Sequence, residues 1–278
     1  MNSGRNKSFV FFYANMLFLF FNLVLFGTSP HWNRKPEPTA RSVSSAANQT
    51  PTTTTVDCKM HAWNGKGGHG GFRRVYEKFF CPFKALDFTL IEFGTGGYGS
   101  KGGGQSIPMY HSYFPQVYVY SVDVHKKQFS VPARTKLVHG SQTDPKVLQD
   151  LCKLPNLKII IDDASHVSNM TIFTFEKMFS CLRNGGLYVI EDTQTSYWKS
   201  WKGSCDLTDP NASLSNYFAT MTHHLNYREI QLVNSTFEPH PFAAQIVSLH
   251  FAHNLVVVEK GDNTEKSNVG PKAAGEKC

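Results

Sequence analysis

The sequence predicts an α/β fold, with a mostly parallel seven-stranded sheet covered by helices on both faces and closed by an antiparallel hairpin. Three observations carry that expectation. Residues 88–93, 117–122, 157–161 and 187–190 are short, nearly continuous apolar runs, as expected of parallel strands covered on both sides. Between the last two, Met170, Phe173, Met178 and Leu182 stand close to helical spacing within residues 168–182, which suits the crossover that parallel strands require. Asn184-Gly185-Gly186 then ends the helix and turns the chain. Residues 244–251 and 254–259 are two further strand-like runs joined through Ala252 and His253, a link that permits only an antiparallel hairpin.

Composition agrees with this. The chain has 278 residues, of which 41% are hydrophobic, enough for one full core with additional segments. A mean hydropathy of −0.30 excludes a polytopic membrane protein. The formal net charge is +7, yet the basic residues are scattered, with clusters no longer than pairs such as Arg34-Lys35, Arg73-Arg74 and Lys126-Lys127. A solvated basic surface is therefore expected rather than a nucleic-acid partner.

Ahead of the sheet, residues 9–27 form an uncharged apolar run, which at ~1.5 Å per residue is long enough to cross a bilayer core. Pro30 follows the small residues Gly27, Thr28 and Ser29 and disfavours signal cleavage there. The expectation is a cytosolic tail (1–8), a transmembrane signal anchor (9–27) and a Pro/Ser/Thr-rich stem (28–57). Residues 58–85 follow as an N-terminal lid or substrate segment, with His61, His69, Arg73 and Tyr76 as candidates, or equally as a helix on the core. The main domain spans 86–260, and a polar, flexible tail spans 261–278. Sequons at Asn48, Asn169, Asn211 and Asn234, with six cysteines, suit an oxidising lumen. The cysteine pairing stays open.

The first strand ends in Glu92-Phe93-Gly94-Thr95-Gly96-Gly97-Tyr98, with Gly99 and Gly102-Gly103-Gly104 beyond. Such a loop brings backbone against a ligand at the carboxyl edge of the sheet, so Glu92, Gly94 and Gly96 are candidate cofactor residues. Asp123, closing the second strand, is placed to accept both ribose hydroxyls of an adenosyl group. The loop runs on through several glycines before any plausible helix, whereas a pyrophosphate cradle wants the helix at once. This favours S-adenosylmethionine (SAM) over NAD.

Asp162-Asp163-Ala164-Ser165-His166 and Glu191-Asp192 stand at the ends of consecutive parallel strands, which lie ~4.8 Å apart if the crossover is direct. Asp163, Glu191 and Asp192 then crowd one volume and call for a cation, and three carboxylates suit a hard ion such as Mg²⁺. His166 is placed as a base. Tyr197, Trp198 and Trp201 could stack on a sugar face or simply pack. No metal site is built on His223 and His224.

The segments LIEFGTGGYGSKGGGQSIPMY, SVDV, HGSQTDP, IIIDDASH, NGGLYVIEDTQTSYW and IVSLHFAHNLVVVEKG, in that order, resemble the macrocin and mycinamicin type of metal-dependent sugar O-methyltransferase, with cephalosporin hydroxylase-like relatives. The similarity covers residues 70–261. It implies a Rossmann-like class I methyltransferase fold. It also implies Asp163, Glu191 and Asp192 as Mg²⁺ ligands, and His166 as the general base that deprotonates a sugar hydroxyl for attack on the SAM methyl group. On the SAM side it implies Asp123 at the ribose and Ser141 and Gln142 near the adenine, with Gly94, Ser106 and Asp162 lining the pocket. Glu191 stands where some members carry Asp, and Ala164 replaces a Gly usual before Ser-His. The anchor, stem and sequons point to a glycan or polysaccharide acceptor in the Golgi lumen. Alternatives are a small diol or catechol, a secondary-metabolite sugar, or a non-catalytic lumenal binding protein. Homo-oligomerisation is left open.

Overall fold

A computed structural model of the chain describes residues 56–63 and 70–268. The expected cytosolic tail, anchor, nearly all of the stem, His69 and the tail beyond residue 268 lie outside the described residues. Among the described residues no helix is long and apolar enough to cross a membrane.

Seven strands form one sheet: β1 (Thr89–Phe93), β2 (Tyr118–Asp123), β3 (Thr135–His139), β4 (Leu157–Asp162), β5 (Leu187–Glu191), β6 (Ile246–Ala252) and β7 (Leu255–Lys260), in the order β3-β2-β1-β4-β5-β7-β6. β1 to β5 pair in parallel; β7 runs antiparallel to both β5 and β6. The four apolar runs and the hairpin fall where the sequence predicts them, within two residues at either end. The sequence reading overlooked β3, an edge strand whose half-exposed Thr-Lys-Leu-Val-His has no apolar run to betray it.

Helices cover both faces. Alternation along the strands sends Leu90, Val119, Ile159, Ile161, Val189 and Val257 to one face, under α1 (Gly70–Phe80) and α2 (Ser106–Tyr113). Ile91, Val122, Ile160, Tyr188, Ile190 and Val258 face the other way, under α3 (Pro145–Cys152), α4 (Ser168–Met178) and α5 (Leu214–Leu225). A short α6 (Tyr227–Val233) follows α5. The predicted crossover is α4 extended by a 3-10 turn, Phe179–Cys181. Asp144 caps α3, accepting hydrogen bonds from the Lys146 and Val147 N–H groups.

Of the two readings of residues 58–85, lid or core helix, α1 agrees with the second. Phe72, Val75, Tyr76 and Phe80 are buried in the core, so α1 serves as a wall of the domain. His61 pairs with Asp57 and Arg73 with Glu77. Disulfides join Cys58 to Cys81 and Cys152 to Cys181, and Cys205 is exposed without a bridge. His224 accepts a hydrogen bond from the His240 N–H and stacks on Phe237, a packing role.

Phe175 on α4 is fully buried, with the rings of Phe179, Tyr188, Phe218 and Phe242 at centroid distances of 5.0, 5.1, 5.0 and 5.8 Å. Phe175→Ala is expected to cost about 3–5 kcal/mol in urea unfolding, through lost transfer energy and the cavity left behind.

Candidate active site

The chain leaves β1 towards β2 and β3, and returns through β4 and β5 on the other side, so β1 and β4 flank the topological switch point. Open α/β sheets bind ligands outside the carboxyl ends of the strands at such a point. A cavity of about 260 Å³ lies there, lined by Phe93 and Gly94 after β1, Val122 to Val124 at β2, Gly140 to Gln142 after β3, and Ala164, Ser165 and Met170 after β4. Gly94 has φ +92°. A Cβ at that position would collide with the Asp163 carbonyl and the Ala164 Cα, so only glycine lets the two loops meet.

Of the expected cofactor residues, Gly94, Asp123, Ser141 and Gln142 line this cavity. Glu92, Gly96, Ser106 and Asp162 are not in its lining. Glu92 points to the face covered by α2 and is fully buried. There it accepts hydrogen bonds from Ser106 Oγ at 2.7 Å and Tyr110 Oη at 2.8 Å, tying α2 to β1. Asp162, the last residue of β4, is buried. Gln142 Nε2 donates to both of its oxygens at 3.2 and 3.1 Å and to Thr174 Oγ1 at 3.0 Å, while Gln142 Oε1 accepts from the Ser165 N–H at 2.8 Å. Burial lifts the Asp162 carboxyl to about 7, with the Asp163 charge adding to the rise against hydrogen bonds from the Ala164 N–H and Gln142.

Beside the cavity, Asp163, His166 and Asp192 offer ligand atoms within 4.8 Å of one another. His166 Nε2 stands 3.9 Å from Asp192 Oδ2, and both side chains are partly exposed, at 20% and 30%. His166 and Asp192 have φ of 53° and 54°, backbone that non-glycine residues rarely adopt. Such strain concentrates at functional sites. Gln194 Nε2 donates to Asp192 Oδ1 at 3.2 Å, and Thr195 Oγ1 to the Asp192 carbonyl at 3.0 Å. Glu191, the third expected ligand, is buried at the end of β5, and its Oε1 accepts a hydrogen bond from Tyr76 Oη on α1.

No family model matches the chain. The chain is 32% identical over 229 residues to 8-demethyl-8-alpha-L-rhamnosyl tetracenomycin-C 2'-O-methyltransferase of Streptomyces olivaceus, covering 82% of this chain and 60% of that one. It is 31% identical over 196 residues to demethylmacrocin O-methyltransferase of Streptomyces fradiae, covering 70% and 49%. By homology the chain belongs with the sugar O-methyltransferases of the macrocin and mycinamicin type. A solved structure, MycE methyltransferase from the mycinamycin biosynthetic pathway in complex with Mg and SAH, superposes with a TM-score of 0.66 at 30% identity, covering 70% of this chain and 51% of that one. The chain therefore spans about half to three fifths of the length of the relatives it matches.

Two site features of this sugar O-methyltransferase homologue escaped the sequence reading. Tyr76, noted only as a candidate lid residue, reaches Glu191 from α1. Lys127 gathers the carbonyls of the glycine-rich loop, and in sequence it is half of an ordinary basic pair. Trp201, noted for stacking, sets its ring edge-on to His166 at 5.6 Å.

The raised Asp162 carboxyl makes a pH prediction. The folded chain binds its proton up to about pH 7, while the unfolded chain releases it near 3.8. Folded protein thus holds more protons between these values, and stability falls as pH rises through that window, by at most ~1.4 kcal/mol per pH unit. Asp162→Asn is expected to flatten this decline, read as urea midpoints from pH 4 to pH 8.

Proposed function

We propose that the protein is a SAM- and Mg²⁺-dependent O-methyltransferase acting on a hydroxyl of a sugar carried by a larger glycoside. The observation that carries this reading is the meeting of two loops at Gly94. It brings a cavity lined by Asp123, the acid expected at the ribose, next to the Asp163, His166 and Asp192 cluster. The relatives' names support the acceptor: a rhamnosyl tetracenomycin for one, demethylmacrocin for another. The Mg and SAH of the mycinamycin-pathway structure support the cofactors.

The donor set fits a hard divalent ion, since Asp163 and Asp192 bring carboxylate oxygens to one place with His166 beside them. Asp163 and Asp192 would hold the ion, with Glu191 as the third expected carboxylate. When bound, Mg²⁺ acidifies a coordinated hydroxyl and SAM supplies the methyl group. The chain's own part is to place and deprotonate the acceptor. Asp123, Ser141 and Gln142 position the adenosyl end. His166 Nε2 takes the hydroxyl proton, oriented by Asp192 and screened on one side by the Trp201 ring. Tyr197, Trp198 and Trp201 are 43%, 49% and 36% exposed in the segment after Asp192, and such aromatic rings suit a pyranose face.

A second reading concerns location and acceptor. The apolar run at residues 9–27 and two disulfides, Cys58–Cys81 and Cys152–Cys181, support a secretory-pathway enzyme on a single-pass anchor, with its catalytic domain in the Golgi lumen. Its acceptor would then be a glycan. Assaying rhamnosyl glycosides against released glycans as methyl acceptors separates the two readings, and turnover of neither class overturns both.

His166→Ala and Asp192→Asn are expected to lower kcat by about 10²–10⁴ with SAH affinity by calorimetry unchanged. EDTA should abolish turnover and Mg²⁺ restore it; full activity in EDTA sinks the proposal. Trp198→Ala should raise KM for the sugar acceptor by about tenfold, equivalent to ~1.4 kcal/mol, and leave KM for SAM unaltered.

A further inference from the structure

We propose that Lys127 is a built-in cation that folds the glycine-rich loop and fixes Asp123, making it a positioning residue for the cofactor; this rests on the SAM reading above. Its Nζ lies 2.8 Å from the Gly96 carbonyl oxygen, 2.7 Å from that of Gly97, and 3.1 Å from those of Gly99 and Gly102. A fifth oxygen, Asp123 Oδ2, is 3.4 Å away, and the lysine side chain is 2% exposed. An ammonium has three N–H donors. Shared among five oxygens, they hold the loop by charge as much as by individual hydrogen bonds. Rings of backbone carbonyls replace the hydration shell of a monovalent cation in this way in ion-selective filters.

This contact explains why the loop is so rich in glycine. Gly96, Gly97 and Gly99 have φ of 77°, 63° and 75°, backbone that turns successive carbonyls towards one point at little steric cost. Little else anchors the tip. Gly96, Gly97, Tyr98 and Gly99 are exposed, Tyr98 at 95%, so these residues bury no side chain in the core. Without the ammonium, four carbonyl dipoles would face one another in a pocket closed to water, an arrangement that costs free energy unless it opens. The same ammonium pairs with Asp123, which lines the cofactor cavity. Loss of Lys127 should therefore appear in cofactor affinity before it appears in turnover.

The test uses the full chain and SAH as the probe. Lys127→Met keeps the stem and removes the charge; Lys127→Ala leaves room for an added cation. Lys127→Met is expected to weaken SAH binding by about tenfold to a hundredfold, the range for lost charged hydrogen bonds. KM for SAM should rise in parallel, with kcat and the acceptor KM little changed. In Lys127→Ala, added propylammonium or K⁺ should restore SAH affinity, and the bulkier tetramethylammonium should not. Wild-type SAH affinity in Lys127→Met, or a loss that no cation restores, overturns the proposal. Should the wild type itself fail to bind SAH, the SAM reading falls separately. Hydrogen exchange of residues 94–104 in Lys127→Ala then decides the clamp: protection lost and regained with propylammonium supports it, and unchanged protection overturns it.

Discussion

The closest constraint on the site is steric. Gly94 abuts the Asp163 backbone with no space for a side chain, and that approach joins two otherwise separate things. On one side lies the cavity at the ends of β1, β2 and β3; on the other, the acid and imidazole cluster after β4 and β5. Under the proposed methyl transfer, donor and acceptor hydroxyl would have to come within bonding reach, which two touching loops allow. The strand order makes the loops neighbours, and the missing Cβ lets them close.

Charge then sorts the acids that this crowding produces. Asp162 sits lowest, and burial pushes its carboxyl up to about 7 while Gln142 braces it from the neighbouring loop. Glu191 is claimed from the other face by Tyr76. Asp163 and Asp192 stand partly open to solvent with His166 between them and the Trp201 ring. The acids thus differ in depth, and two of the described residues with left-handed backbone, His166 and Asp192, belong to the more open cluster.

Much of this was legible in the sequence. β1, β4, β5 and β7 are buried on both faces and therefore read as nearly continuous apolar runs. The acids after β4 and β5 were legible because parallel strands deliver their ends to one edge. What escaped depends on direction rather than position. Glu92 belongs to the glycine-loop motif, but strand alternation turns it under α2. Tyr76 is one aromatic among several on α1, and reaching Glu191 is a property of tertiary packing. Lys127 bonds mainly to backbone carbonyls, which leave no residue-type signature for a sequence to show. Pairing of Cys58 with Cys81 and Cys152 with Cys181 likewise follows from which helices meet.

The Cys58–Cys81 bridge has a mechanical consequence. Its two cysteines bracket α1, one before Gly70 and one directly after Phe80. Tension arriving from the chain ahead of residue 58 is passed through the covalent cross-link to residue 81 and bypasses the helix between them. Tyr76, and with it the Glu191 carboxylate, is shielded from any pull on the N-terminal side. Reduction of that one bridge would return such a load to α1.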